Sequence, residues 1–322
     1  MSDSLTLAAV VPAGDAPPTL DSCLAALGAG TRSPDETIVS REPAGAGPAA
    51  LRNLGAGASD ADVIVFVDSD VEVHPDALSR IASRFAAEPE LAAVFGAYDD
   101  EPAAPGLTSR FRNLLHRHVH ASSPGEAETF WAGLGAVRRE AFEAIGGFDA
   151  GRFPDSSIED IELGMRLRES GARLLLDPAI CGRHLKAWTP VSMVRTDFAR
   201  RGVPWMRLLL EQRRGGEGAL NLGMRHRMSA LATLTLALAA LTRKPRLAAA
   251  SLLAVLALNR PFYSLLHRRG GLELLLGGVG LHLLHQLVAI ASVPAALILH
   301  LRSAVPFVRI GHKRNSGREG GW

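Results

Sequence analysis

Cysteine is scarce in this chain: Cys23 and Cys181 are the only two in 322 residues. They lack the close pairing of a zinc site and are too few for a disulfide framework, so neither is indicated, and a reducing compartment fits. No basic segment precedes the first apolar run. MSDSLTLAAVVP carries no positive n-region and meets a proline after a few apolar residues, which argues against a signal peptide and for an N-terminal part that stays where it is made. Acids are almost missing from the last third. Residues 1–194 hold 16 Lys/Arg against 28 Asp/Glu, whereas residues 195–322 hold 19 against 5, so the formal net charge of +2 hides a division into an acidic and a basic part. No nucleic-acid motif accompanies the basic part, and its arginines flank apolar runs. That pattern predicts a membrane with an anionic inner surface and no nucleic-acid partner.

The first two thirds read as α/β. LTLAAVVP, ETIVS and VIVFV are apolar runs of strand length, separated by helical patterns in LDSCLAAL and PAALRNLGAGA, with HPDALSRIASRFAAE behind them. Strands apolar on both faces and alternating with helices predict a mostly parallel, Rossmann-like sheet with helices on both faces. Further on, IEDIELGMRLRES reads as an amphipathic helix stopped by Gly171.

From about residue 225 the character changes. MSALATLTLALAALT, LAAASLLAVLAL and the run 272–301 contain one acid, Glu273. The last run is roughly 45 Å of helix, more than a ~30 Å hydrocarbon core requires, so it spans with tilt or with a kink at Pro294. A continuous helix over 228–258 would bury Arg243, Lys244 and Arg246 at about 2.5–3.5 kcal/mol each. A break at Arg243–Pro245 is therefore expected, giving two short helices as a shallow hairpin, an interfacial pair or a double crossing. The division expected is residues 1–220 as a catalytic-type domain and 221–322 as membrane-associated helices with a basic tail. Buried helices of a soluble domain are the competing reading.

VIVFVDSDVE ends a buried strand in two carboxylates, Asp68 and Asp70. In an open sheet ligands bind beyond the carboxyl ends of strands, and residues two apart in extended chain point the same way. Two such acids suit a hard divalent cation shared with substrate phosphates. A plain strand-end turn explains Asp-Ser-Asp equally well.

Five blocks widen the picture: VVPAGDAPPTLDSCLAAL, LRNLGAGASDADVIVFVDSDVEVHPDAL, FWAGLGAVRREAFEAIGGFD, IEDIELGMRLRESGARLLLDP and GRHLKAWT. In order and content they resemble the family 2 glycosyltransferases, inverting enzymes of the GT-A fold. The resemblance covers about residues 5–210 and implies a nucleotide-diphosphate sugar donor. It implies Pro12 against the base, Asp68 at the ribose or metal, Asp70 on Mn2+ or Mg2+, and His184 beside metal and diphosphate. It also implies Asp160 as general base, with Trp131 and Glu159 on the acceptor side. Such a base makes chemical sense, because an acceptor hydroxyl must lose its proton as the bond to the anomeric carbon forms. At the opening turn of a helix, the dipole is expected to keep Asp160 ionised. Ordinary first-turn acids and a packed histidine are the plain alternatives for Glu159-Asp160 and His184. The family's aspartate after the second strand is absent, with Ser40, Arg41 and Glu42 in its place, and Glu42 is the candidate substitute. Asp15 and Arg52 are candidate donor contacts, with loop solvation and helix capping as their alternatives.

Two tempting motifs are set aside. GAGTRSP resembles the loop of sugar nucleotidyltransferases but follows a helix instead of the first strand, and His116, His118 and His120 read as a basic helix face near phosphate or membrane. The acceptor implied by membrane attachment is a lipid or lipid-linked glycan at the cytoplasmic face of the cell membrane, with an even number of crossings. A membrane-bound sugar nucleotidyltransferase and a non-catalytic sugar-nucleotide-binding scaffold remain the rivals.

Overall fold

The computed structural model describes residues 5–14, 16–212 and 223–304. Eight strands form one sheet: β1 (Leu7–Pro12), β2 (Glu36–Ser40), β3 (Val63–Val67), β4 (Val71–Val73), β5 (Leu91–Tyr98), β6 (Gly125–Glu126), β7 (Leu134–Arg138) and β8 (Arg173–His184). Their order is β2-β1-β3-β7-β5-β8-β4, with β6 beside β8. Parallel pairing joins β1 to β2 and β3, and β5 to β8. The sheet is mixed, however, because β7 enters antiparallel between β3 and β5, and β4 and β6 run antiparallel to β8. A short, apolar LGAVR reads the same in either direction, so periodicity alone did not reveal the reversal.

Side-chain alternation divides the core. Leu7, Ala9 and Val11 of β1 and Val63, Val65 and Val67 of β3 pack on one face with Leu27 of α1 (Leu20–Gly28) and Phe85 of α3 (Ala77–Ala87). Val10, Ile64 and Phe66 pack on the other with Ala49 of α2 (Pro48–Gly57), Phe142 of α5 (Arg139–Ala144) and Leu163 of α6 (Glu159–Glu169). Period-two burial on both faces is what near-continuous apolar strands require. Gly164 lets α6 approach closely, since a Cβ there would stand 2.2 Å from the Phe130 backbone nitrogen. That approach brings the first turn of α6 to the segment 130–133.

After α8 (Val203–Gln212), the C-terminal helices are α9 (Met224–Leu241), α10 (Pro245–Leu258) and α11 (Arg260–Ala304). The expected break appears at Arg243, which takes φ +54° between α9 and α10. The kink in α11 falls at Gly270 and Gly271, whose angles are non-helical, while Pro294 stays inside the helix. Gly271, at φ +62°, adopts a backbone that glycine reaches without a Cβ penalty, which explains why the bend sits there. One face of α11 docks on the α/β domain: Leu266, Leu274 and Leu281 join Phe111 and Leu114 of α4 (Leu107–Ala121) and Met193 of α7 (Pro190–Arg195) in one cluster. Elsewhere large apolar side chains face outward, among them Leu241 at 80% exposure and Leu276 at 70%. Among the described residues one helix, Arg260–Arg302, is long and apolar enough to cross a membrane. The expectation of several crossings gains no support, because α9 and α10 are separated by the charged break.

Candidate active site

β3 delivers its C-terminus to the middle of the sheet edge, and there the chain turns at once. Val71 N donates to Asp68 O at 2.9 Å, so Asp68-Ser69-Asp70 is a tight turn leading into β4. The extended geometry expected for the two acids is therefore not found, and each takes a different partner. Asp68 meets Arg52 of α2, whose Nη2 donates to Asp68 Oδ1 at 2.6 Å. Asp70 Oδ2 lies 3.6 Å from Nε2 of His184, the last residue of β8. The turn is pinned on both sides, by Asp68 N donating to Gly133 O at 3.0 Å and by Leu185 N donating to Asp70 O at 2.9 Å.

Arg52 is buried at 4% exposure and does more than hold Asp68. Its Nη1 donates to Glu159 Oε1 at 2.9 Å, and the other Glu159 oxygen accepts from Ser157 N at 2.7 Å. Glu159 is thus engaged at both oxygens and 4% exposed, which corrects its assignment to the acceptor side. Arg52 is likewise a bridge between two internal carboxylates instead of a free donor contact, although its Nε is buried without a partner. Burial works against the Arg52 charge, but Asp68, Glu159 and Asp160 outweigh it and raise its pKa.

The neighbouring Asp160 stands apart. Its Oδ2 accepts from Ala132 N at 3.2 Å and its Oδ1 from Ile161 N at 2.8 Å. Burial first, then the charge of Glu159, push its pKa up to about 6 against the pull of Arg52 and the Ala132 N–H. The helix dipole does not dominate as expected; desolvation does. A carboxylate poised there is mostly ionised at pH 7 and still basic enough to accept a proton. Asp68 is also raised, by burial foremost and by Asp70, with Arg52 opposing. Asp70 goes the other way: burial pushes it up, but His184 and then Lys186 more than offset this and its pKa falls.

Ala132 and Gly133 are consecutive, so the Asp160 carboxylate, held by Ala132 N, and the backbone of Asp68, held by Gly133 O, are anchored to neighbouring residues. Trp131, immediately before them, is half-buried. Its indole lies over Gly133, where a Cβ would stand 2.4 Å from the ring, and it packs edge-on against Tyr98 at 4.9 Å. Tyr98, at the end of β5, stacks on His184 at 4.1 Å. The sequence reading overlooked Tyr98; its position at the end of a fully apolar strand, before Asp99-Asp100, was the available signal. His116 packs on His120 at 3.9 Å and on Trp131 at 4.5 Å. Burial drives His116 well below its ordinary range and His120 to about 4. These two histidines are neutral packing groups, a correction to the basic helix face expected of them.

Pro12 is buried at the end of β1, paired in register with Ser40, and Glu42 is exposed on the loop leaving β2 along the same edge. Asp15, the basic tail beyond residue 304 and the boundary near 220 lie outside the described residues. Both cysteines are free thiols.

Among the described residues no group of three or more His, Cys, Asp or Glu is arranged to hold a metal ion. Asp70 and His184 supply an oxygen and a nitrogen donor, while Asp68 spends one oxygen on Arg52. This set fits a hard divalent cation that takes its remaining ligands from phosphate oxygens and water, and does not fit a cage made by protein alone.

Residues 20–146 match the family model described as Glycosyl transferase family 2. The chain is 30% identical over 152 residues to the pre-mycofactocin glycosyltransferase of two Mycobacterium tuberculosis strains, an alignment covering 45% of this chain and 32% of each relative. The chain thus spans about a third of the length of the curated relatives it matches. A mannosyltransferase from Pyrobaculum calidifontis, solved in complex with GDP-Man and Mn2+, superposes with a TM-score of 0.52 at 15% identity, over 94% of this chain and 89% of its own. At that identity the likeness establishes the shared GT-A-like fold.

Proposed function

We propose that this chain, which carries a family 2 glycosyltransferase domain at residues 20–146, transfers a sugar from a nucleotide-diphosphate donor to an acceptor hydroxyl with inversion. The observation that carries the reading is the suspension of Asp160 and Asp68 from the adjacent residues Ala132 and Gly133, with the Asp160 pKa pushed to about 6. One sugar ring between them would meet a base on one side and the diphosphate-facing acids on the other. As the acceptor oxygen bonds to the anomeric carbon, its proton passes to Asp160, and the electron pair of the breaking bond leaves with the diphosphate. Arg52 keeps Asp68 and Glu159 in place, and Glu159 in turn raises the basicity of the neighbouring Asp160. Trp131 walls the cleft and keeps water from the reacting carbon.

Asp70 and His184 are the residues that would hold Mn2+ or Mg2+ on the diphosphate, with Asp68 near. Such a cation, when bound, neutralises the charge gathering on the leaving group. The GDP-Man and Mn2+ of the Pyrobaculum enzyme support this choice of donor class and cation. Pro12 and Glu42, on the edge formed by β1 and β2, line the place for the nucleoside. The outward apolar faces of α9 to α11, with Arg243, Lys244 and Arg246 between them, support attachment to the cytoplasmic face of a membrane. A lipid or lipid-linked glycan is the acceptor class that location favours.

The test is a panel of nucleotide sugars with Mn2+ or Mg2+, scored by release of nucleoside diphosphate and by thermal stabilisation. Metal-dependent turnover of at least one is expected. Pyrophosphate release from a nucleoside triphosphate would make the protein a nucleotidyltransferase. Donor binding with turnover unaltered by Asp160→Asn would make it a scaffold.

A further inference from the structure

Away from the acid cleft, a cavity of about 210 Å³ opens at the seam between the α/β domain and the C-terminal helices. It is lined by Asp100 and Glu101 after β5, Arg110 and Leu114 of α4, Arg183 of β8 and Arg269 of α11. Arg183 precedes His184 and projects from the opposite side of the strand, exposed where His184 is buried, so this cavity is separate from the cleft at Asp70.

Three guanidinium groups face two carboxylates here, and the distribution is uneven. Arg269 takes both acids: its Nη2 stands 2.5 Å from Asp100 Oδ2 and its Nη1 3.7 Å from Glu101 Oε1. Arg110 and Arg183 are left with neutral partners. Arg110 Nη2 donates to Arg269 O at 2.6 Å, and Arg183 Nε donates to Glu101 O at 3.2 Å. Glu72 stands opposite Arg183 in the β4–β8 ladder, yet among the described residues no carboxylate lies within ion-pair distance of Arg183 or Arg110. Two positive charges with unspent N–H donors therefore border a space large enough for several waters, at about 30 Å³ each. Their planar forks match phosphate oxygens.

The kink in α11 sets the position of this cavity. Gly270 leaves room for the Arg110 guanidinium, since a Cβ there would stand 2.7 Å from its Nη2. Directly after the kink the outward leucines begin, with Leu272 at 65% and Leu276 at 70% exposure. An anion at this cavity would sit where an apolar surface starts, which is headgroup depth for a bilayer.

We propose that Arg110 and Arg183 form a binding site for a phosphate group, separate from the transfer site and supplied by an anionic lipid headgroup or by free phosphate. The site stands whether or not the chain transfers sugar. The test uses the full chain in detergent, with inorganic phosphate and chloride at matched ionic strength, and with vesicles of phosphatidylcholine alone or with phosphatidylglycerol. Phosphate is expected to raise the melting temperature above the chloride control, or phosphatidylglycerol vesicles to retain the protein where phosphatidylcholine does not. Arg110→Gln with Arg183→Gln should weaken that response on the order of tenfold or more, and Arg183→Lys should retain part of it. A response to vesicles alone identifies the headgroup as the source; a response to inorganic phosphate alone identifies a soluble one. If the double variant melts low without ligand, Arg183→Gln alone, at an exposed strand position, provides the same comparison. Equal responses of the wild type and the folded variants to both probes overturn the proposal.

Discussion

The two halves of this molecule bury polar groups to opposite ends. In the C-terminal helices the buried polar atoms close on one another. Tyr263 Oη meets His282 Nδ1 at 2.9 Å, His282 Nε2 meets Gln286 at 3.1 Å, and Gln286 receives Thr233 at 2.5 Å while donating to Ser229 at 2.8 Å. Asn259 donates to the same Ser229 at 2.7 Å. At the sheet edge, by contrast, three carboxylates, Asp68, Glu159 and Asp160, crowd around one buried arginine, whose Nε finds no partner. A closed network fixes how helices meet; an unbalanced one stores chemical potential for a ligand. Pairwise satisfaction thus distinguishes the Ser229–Gln286 network from the acid cluster at Arg52.

That contrast can be broken most sharply at Asp160. Asp160→Asn should lower turnover on the order of 10²–10⁴-fold with donor binding kept, measured by kinetics beside donor titration. Asp70→Ala should act on binding instead, weakening metal-dependent donor affinity about 10–100-fold, and equal binding losses in the two variants would reverse the roles. Acid gives the next effect. A general base with pKa about 6 works only when deprotonated, so kcat/KM should fall about tenfold per pH unit below 6. In the helical half, Gln286→Leu should cost about 1–3 kcal/mol of stability by stranding Thr233, Ser229 and His282, with kcat scarcely changed in the folded fraction. The smallest effect is electrostatic. Because burial raises Asp160 in the folded state, its charged form destabilises the fold as pH rises through about 6, so Asp160→Asn should melt above the wild type at pH 8, with the difference gone below pH 4.

The acids themselves were legible in the sequence, because a run of apolar residues ending in Asp-Ser-Asp leaves little else to notice. Their partners were not. Arg52 and Glu159 are separated by 107 residues, and only the folded chain brings them together. Val63, Val65 and Val67 do face away from Ile64 and Phe66, as extended chain requires, but that period does not extend to Asp68 and Asp70, where Val71 closes a turn back on Asp68. The break at Arg243 could be foreseen from the cost of burying charge, but the bend at Gly270–Gly271 could not, since paired glycines also fit a helix packed tightly against a neighbour. Glu159 and Asp160 are alike in type and adjacent, and nothing short of coordinates tells which one faces inward.

The consecutive residues Ala132 and Gly133 act as a ruler between Asp160 and the Asp68 turn. Successive Cα atoms lie about 3.8 Å apart whatever the surroundings do. Loops around the cleft can therefore lengthen, shorten or exchange residues while the anchors of Asp160 and of the Asp68 turn stay on two consecutive residues.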